Sequence, residues 1–224
     1  MRISAILFDM DGVIINSRSE IELFWNEWAE KVGIILSEKD IEDHIHGCPA
    51  TRTLEMLFKN TSDEFKMQIM NCSHTIGQDV ENLVMPGFKD LIDCLDEIKM
   101  PWGIVTSHLI NSATRIVKAL HIQDRLKVLV TADQVEKGKP HPDPYILGNK
   151  RLGLEAEQVL VFEDSISGCT AALKAGNAVI GLNVPKMAKS LLSLGVEDVL
   201  ENFEGIVDKE MKCLRIGKKL ILNV

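Results

Sequence analysis

Continuous apolar runs occur at residues 3–8, 102–105, 128–131, 159–162 and 179–182. Each is short and does not alternate with polar residues. That is the pattern of strands buried on both faces of a parallel sheet. Between the runs, apolar residues recur at helical spacing. Phe88, Leu91, Ile92, Leu95 and Ile98 form one stripe, and Ile110, Ala113, Ile116, Val117 and Leu120 form another. Strand and helix alternate after residue 86, which predicts an α/β fold with a doubly wound parallel sheet.

Residues 17–84 break the alternation and contain no convincing strand. Ile21, Phe24, Trp25, Trp28 and Val32 make a helical stripe, and Leu54, Leu57 and Phe58 begin a second. This segment reads as a helical domain inserted directly after the first strand. The core would then comprise 1–16 and 85–224. Met85-Pro86-Gly87 suits a hinge, because Pro and Gly punctuate elements. Near the end, Leu214-Arg215-Ile216 and Leu220-Ile221-Leu222 flank Gly217 and predict a hairpin turning at Gly217 and Lys218.

The balance of 46% hydrophobic and 26% charged residues is that of a globular protein. A net charge of −8, with pI near 5.3, argues against a nucleic-acid partner. Five cysteines with no C-x-x-C pair read as reduced thiols. The apolar run before Asp9 is too short for a signal peptide or a membrane span, so a cytoplasmic protein without a membrane partner is expected. An acidic chain that binds an anion needs a locally positive pocket.

Four polar clusters stand at the ends of predicted strands, where open α/β sheets bind ligands. Asp9 and Asp11 form a costly anionic pair unless a hard cation such as Mg²⁺ accompanies them. The plain alternative is a strand-to-turn pair with Gly12 making the turn. Thr106 and Ser107 precede a helix, either as an anion site or as ordinary N-cap hydroxyls. Lys139 lies in a loop fixed by Gly138, Pro140, Pro142 and Pro144. That loop suits an ammonium held over a phosphate or over a nucleophile, the alternative being a solvated lysine. Glu163 and Asp164 either extend a Mg²⁺ site with Asp9 or are helix N-terminal acids facing the macrodipole.

Together, Asp9-Met10-Asp11-Gly12-Val13, Thr106, Gly138-Lys139-Pro140 and Glu163-Asp164 resemble the motif set of the haloacid-dehalogenase superfamily, over nearly the whole chain. The resemblance implies a Rossmann-like core with an inserted helical cap, and hydrolysis of a phosphate monoester through a phospho-aspartate. Asp9 would be the nucleophile and Asp11 the general acid and base. Thr106, Ser107 and Lys139 would hold phosphoryl oxygens. Mg²⁺ would be bound by Asp9, Glu163, Asp164 and Asp11, the last through its carbonyl. Ile45-His46-Gly47, Val105-Thr106-Ser107, Thr131-Ala132-Asp133-Gln134-Val135 and the loop through Tyr145 are similar to the sugar-phosphate and polyol-phosphate phosphatases of the beta-phosphoglucomutase-like subfamily. That implies a small-molecule phosphate ester as substrate, taken by a monomer. His46 and Arg52, in an irregular stretch between the two cap stripes, are the candidates for contacting the leaving group.

Three departures stand out. Asn16 replaces the usual aspartate before Ser17. His108 stands where Gly or Ser is common. Cys48 and Pro49 follow His46-Gly47 where relatives carry Arg, with Arg52 slightly later. Among rivals, a sugar phosphomutase shares the core, but Ile21 occupies the position of the mutase cap histidine. A dehalogenase fits less well, because Asp11, Glu163 and Asp164 suit Mg²⁺ and phosphate. A phospho-accepting signalling receiver would lack the insert at 17–84.

Overall fold

Alternate residues of the central strands enter two separate cores. Ile6 and Phe8 join one cluster with Ile104, Leu160, Phe162 and Ile180. Ala5 and Leu7 join another with Val105, Val159, Val161 and Val179. The two-residue period of a strand puts neighbours on opposite faces, so a sheet covered on both sides needs apolar residues at every position. The strands are β1 (Ala5–Phe8), β2 (Trp102–Val105), β3 (Val128–Val130), β4 (Val159–Glu163), β5 (Ala178–Leu182) and β6 (Asp198–Leu200). They form one sheet in the order β3-β2-β1-β4-β5-β6, with every pairing parallel. This is the doubly wound order, with its switch point beside β1. The computed structural model describes residues 3–73, 80–182, 184–208, 213–216 and 220–223.

Helices cover both faces. On the first, α5 (Phe88–Glu97) and α6 (Ile110–Ala119) bury the stripes read from the sequence. On the second lie α7 (Asp143–Leu152), α8 (Ile166–Lys174) and α9 (Ala188–Leu194). Phe8 stacks on Phe162 at 5.4 Å and meets Phe88 edge-on at 5.5 Å. Each such ring contributes about 1.5–3 kcal/mol when fully buried. Five strands coincide with the five apolar runs. The sixth was not expected, because β6 carries Asp198 and is only half-buried, as suits a sheet edge.

The insert contains α1 (Arg18–Glu30), α2 (Glu38–His44), α3 (Ala50–Leu57) and α4 (Asp63–Cys72). Phe24, Trp25, Ala29, Ile45, Leu54, Phe58 and Ile69 form a third core, apart from the two on the sheet. Of the predicted stripe, Val32 lies past the end of α1 and is exposed. Neither α2 nor α4 was foreseen. α2 buries none of its residues and starts with a capping box at Ser37 and Asp40, a polar signal rather than an apolar one. The two chain crossings between insert and sheet run side by side. Asn16 N–H donates to the Leu83 carbonyl at 2.7 Å, and Met85 N–H to the Ile14 carbonyl at 2.9 Å.

At the end of the chain, β7 (Val207–Asp208), β8 (Cys213–Ile216) and β9 (Leu220–Asn223) pair antiparallel. The predicted hairpin strands are therefore present, and the expected turn at Gly217 and Lys218 lies outside the described residues. Cys48 and Cys169 are buried and stand outside any disulfide. No described helix is long and apolar enough to cross a membrane.

Candidate active site

The parallel pairing of β1 with β4 continues one step past β1, where Asp9 N–H donates to the Phe162 carbonyl at 3.0 Å. Asp9 is thereby fixed at the carboxyl edge of the sheet, next to the end of β4. Gly12, with φ of +72°, turns the chain immediately afterwards. A β-carbon at Gly12 would lie 2.0 Å from Asp164 Oδ2, so only glycine lets the turn sit against that carboxylate.

Lys139 is the centre of the buried charge. Its Nζ donates to Asp9 Oδ1 at 2.6 Å, Glu163 Oε1 at 2.6 Å and the Val105 carbonyl at 3.1 Å. An ammonium has three donors, and all three are used. Burial alone would lower its pKa, but the two carboxylates raise it above the ordinary lysine value. The loop lysine is thus held over the candidate nucleophile rather than in solvent. Glu163 has both oxygens engaged by the protein. Oε1 also accepts from the Tyr145 hydroxyl at 2.7 Å. Oε2 accepts from the N–H groups of Asp164 and Ser165 and from the Ser165 hydroxyl. It fixes Lys139 in place.

Carboxylate oxygens of Asp9, Glu163 and Asp164 all lie within 4.8 Å of one another. Burial, together with the neighbouring carboxylates, raises Asp9 well above the usual range despite Lys139. Burial likewise pushes Asp164 up to about 7, against the pull of Arg18. A site whose carboxylates resist ionisation lacks positive charge, and its donors are all oxygen. Both properties fit a hard divalent cation such as Mg²⁺. The Asp11 carboxylate stands outside this trio. Its Oδ1 accepts from the Ser17 hydroxyl at 2.5 Å, and its Oδ2 lies 2.7 Å from His108 Nε2 in a poorly aligned ion pair. Burial would raise the Asp11 pKa, but His108 and Ser17 outweigh it and hold it below the ordinary value.

Asp9, Asp11, Ser107, His46 and Asp164 line one cavity of about 270 Å³, between sheet edge and insert. Thr106 is buried beside it, its hydroxyl accepting from His108 N–H at 3.1 Å. Ser107 donates to the Gly47 carbonyl at 3.0 Å and so joins core to insert. His46 is buried, with Nε2 2.9 Å from Glu22 Oε1. Arg52 is not among the cavity residues. It lies within α3 rather than in an irregular stretch, and its Nε is buried without a hydrogen-bond partner. The helix begins at Ala50, with Pro49 as its N-cap, four residues before the Leu54 at which the stripe starts.

Sequence reasoning missed Arg18. Its Nη1 donates to Asp164 Oδ2 at 2.7 Å and its Nη2 to Glu42 Oε1 at 2.8 Å, tying the insert to the acidic edge of the core. Nothing local marks it, since a charged residue opening a helix is ordinary. Tyr145 was visible within the proline-rich motif, but its role on Glu163 was not.

The comparisons agree with this geometry. The model of the haloacid dehalogenase-like hydrolase family matches residues 6–182. Hexitol phosphatase A of Escherichia coli is 33% identical over 83% of this chain and 85% of its own length. Glycerol-1-phosphate phosphohydrolase 2 of Saccharomyces cerevisiae is 29% identical over 92% of this chain and 85% of its own. A crystal structure of a hydrolase from Pseudomonas syringae superposes with a TM-score of 0.77 at 26% identity, covering 90% of this chain and 94% of that one. With its sheet order, its strand-end carboxylates and a family match across most of its length, the chain belongs to the haloacid dehalogenase-like hydrolases.

Proposed function

We propose that the protein hydrolyses small phosphate monoesters, of the sugar-phosphate or polyol-phosphate kind, through a phospho-aspartate on Asp9. The observation that carries this reading is the placement of Asp9 and Asp11 on one cavity, with Lys139 Nζ 2.6 Å from Asp9. The hexitol and glycerol phosphatases among its relatives support the substrate class.

In this reading Asp9 attacks phosphorus in line while the bond to the alcohol oxygen breaks. Asp11, whose pKa a phosphate dianion seated beside it raises from the low value set by His108 and Ser17, gives its proton to that oxygen. Asp11 then takes a proton from the water that attacks the phospho-aspartate, releasing phosphate and restoring Asp9. Thr106 and Ser107 hold the phosphoryl oxygens, and Lys139, its donors committed to Asp9, Glu163 and the Val105 carbonyl, supplies positive charge beside them. Asp9, Asp164 and the Asp11 carbonyl, with Glu163 behind them, would hold Mg²⁺, which supplies positive charge at the reacting phosphate. The segment 17–84 acts as a cap that meets the alcohol part of the ester. His46 lines the cavity and remains the cap candidate, whereas Arg52 stands outside its lining. Ile21 lines the cavity at the position of the mutase histidine and cannot shuttle a proton, which favours hydrolysis over phosphoryl transfer within a sugar.

The test is turnover of a hexitol and a glycerol phosphate with Mg²⁺ by the wild type and by Asp9→Asn. The amide cannot form the acyl phosphate, so the variant should be inactive while its circular dichroism is unchanged. Near-normal turnover by pure Asp9→Asn protein would rule the mechanism out.

A further inference from the structure

The motif Thr131-Ala132-Asp133-Gln134-Val135 takes no part in the phosphate chemistry, yet it is tied to the start of α6. Leu109 precedes that helix and offers no side-chain cap. Asp133 Oδ1 serves instead. It accepts from Ile110 N–H at 3.0 Å and from the Thr131 hydroxyl at 2.8 Å. Beside it, Ala132 N–H donates to the His108 carbonyl at 2.9 Å. Ala113, Ile116 and Val117 bury the inner face of the helix in the core. The first turn of α6 is therefore held both at its start and along its inner face.

That turn borders the cavity. Asn111 and Ser112 line it, four and five residues past Ser107. Four residues of chain span at most about 14 Å, so a phosphate at Ser107 and a hydroxyl at Asn111 can belong to one small molecule. Ser107 and His46 already have protein partners, the Gly47 carbonyl and Glu22. Among the described residues, the side chains of Asn111 and Ser112 have none. Thr51 adds a hydroxyl to the lining from α3 of the cap. A carboxamide both donates and accepts hydrogen bonds, as does a serine hydroxyl, and as does each hydroxyl of a polyol. Groups carried on a fixed helix meet such hydroxyls with more precision than groups on a loop.

Resting on the phosphatase reading, we propose that Asn111 and Ser112 bond hydroxyls of the alcohol part of the ester, and that Asp133 positions them. Selection of the leaving group is then shared between cap and core. The cap encloses the alcohol, and the first turn of α6 reads its hydroxyls. The substrate this arrangement favours is a polyhydroxy alcohol phosphate over a simple alkyl one.

Sorbitol 6-phosphate and hexane-1,6-diol monophosphate share a chain length and differ only in the hydroxyls along it. Calorimetric Kd values are measured on Asp9→Asn protein with Mg²⁺, so binding is read without turnover. This protein should bind sorbitol 6-phosphate tighter than the diol ester. Adding Asn111→Leu, which keeps side-chain size but removes the amide, or Ser112→Ala should each cut that preference by about three- to tenfold, the worth of one hydrogen bond. Asp133→Ala should cut it as well, and Asp133→Asn, which keeps an acceptor for Ile110 N–H, should restore it. A preference indifferent to both Asn111→Leu and Ser112→Ala, tighter binding of the diol ester before they are added, or binding of neither ester would overturn the proposal. A preference untouched by Asp133→Ala would overturn the positioning role. Wild-type turnover is scored separately. If the preference falls as expected but neither ester is hydrolysed, the phosphatase reading fails while the hydroxyl contacts stand.

Discussion

The Asp9–Asp11 pair shows how two carboxylates two residues apart acquire different surroundings. Asp9 is fixed by Lys139 and surrounded by carboxylates, whereas Asp11 faces Ser17 and His108. In the proposed mechanism Asp11 is the general acid, a role that matters most where the leaving group is poor. Asp11→Ala should therefore lower kcat/KM on an alkyl phosphate about 10²–10⁴-fold more than on an aryl phosphate, since an aryl oxide leaves unprotonated. Equal losses on the two esters would remove Asp11 from that role. His46 offers a pH test away from the carboxylate trio. Burial and the field of Arg18 lower its pKa, with the Glu22 contact only partly opposing them. The unfolded chain then binds more protons than the folded one below about pH 6.5, so stability rises with pH there and is lost on acidification. His46→Asn should flatten the fall in urea midpoint between about pH 6.5 and 5. A variant whose acid sensitivity matches the wild type would show that His46 titrates normally.

Elements meet at the site through short loops, and the tightest is His46-Gly47-Cys48 between α2 and α3. Gly47 has φ of +69°, and a β-carbon on it would lie 2.0 Å from Ser165 Oγ. That hydroxyl caps α8 by accepting from Gly168 N–H at 2.9 Å and also donates to Glu163. A side chain at Gly47 would strain its own backbone and press on the cap of α8 at once. Gly47→Ala should cost about 1–3 kcal/mol in chemical denaturation and reduce kcat/KM by moving the cap loop off Ser107. Unchanged stability would mean that the loop does not dock as described. The sheet elements were legible from sequence because a fully buried strand has a local signature. β6 and α2 were not, because an edge strand and a surface helix need few apolar residues.

At the scale of the molecule, insert and core are joined by charge as well as by the paired crossings. Arg18 bridges Glu42 within the insert and Asp164 in the core, and both partners of the Arg18–Asp164 pair are largely buried. Breaking a buried pair leaves an uncompensated charge and costs about 3–5 kcal/mol. Arg18→Ala should lose stability at pH 8 in chelator, by at most that amount, since Asp164, pushed up to about 7 in the wild type and higher once Arg18 is gone, must there be held charged without its partner or take up a proton. Mg²⁺ should restore more of the Tm in the variant than it adds to the wild type, because the ion supplies the missing counter-charge and binds the folded state. Equal Mg²⁺ increments in both proteins would mean that Arg18 and the cation do not share Asp164.

Local patterns determined much of this protein. Continuous apolar runs specified five parallel strands, and helical stripes specified α5 and α6. Polar residues placed just after those runs marked Asp9, Asp11, Glu163 and Asp164 as neighbours in space, since parallel strands end along one edge, and the motif resemblance added Lys139 from its proline-fixed loop. What those residues do to one another was decided by tertiary structure. Lys139 faces Asp9 from 130 positions away, and Arg18 reaches Asp164 across 146. The cavity wall of Ile21, Trp25, Ile45 and Met70 gathers three stretches of the insert. Periodicity shows which face of a helix is apolar. Whether that face ends in a core or opens onto a site depends on where the chain brings the next element, and only the folded path fixes that.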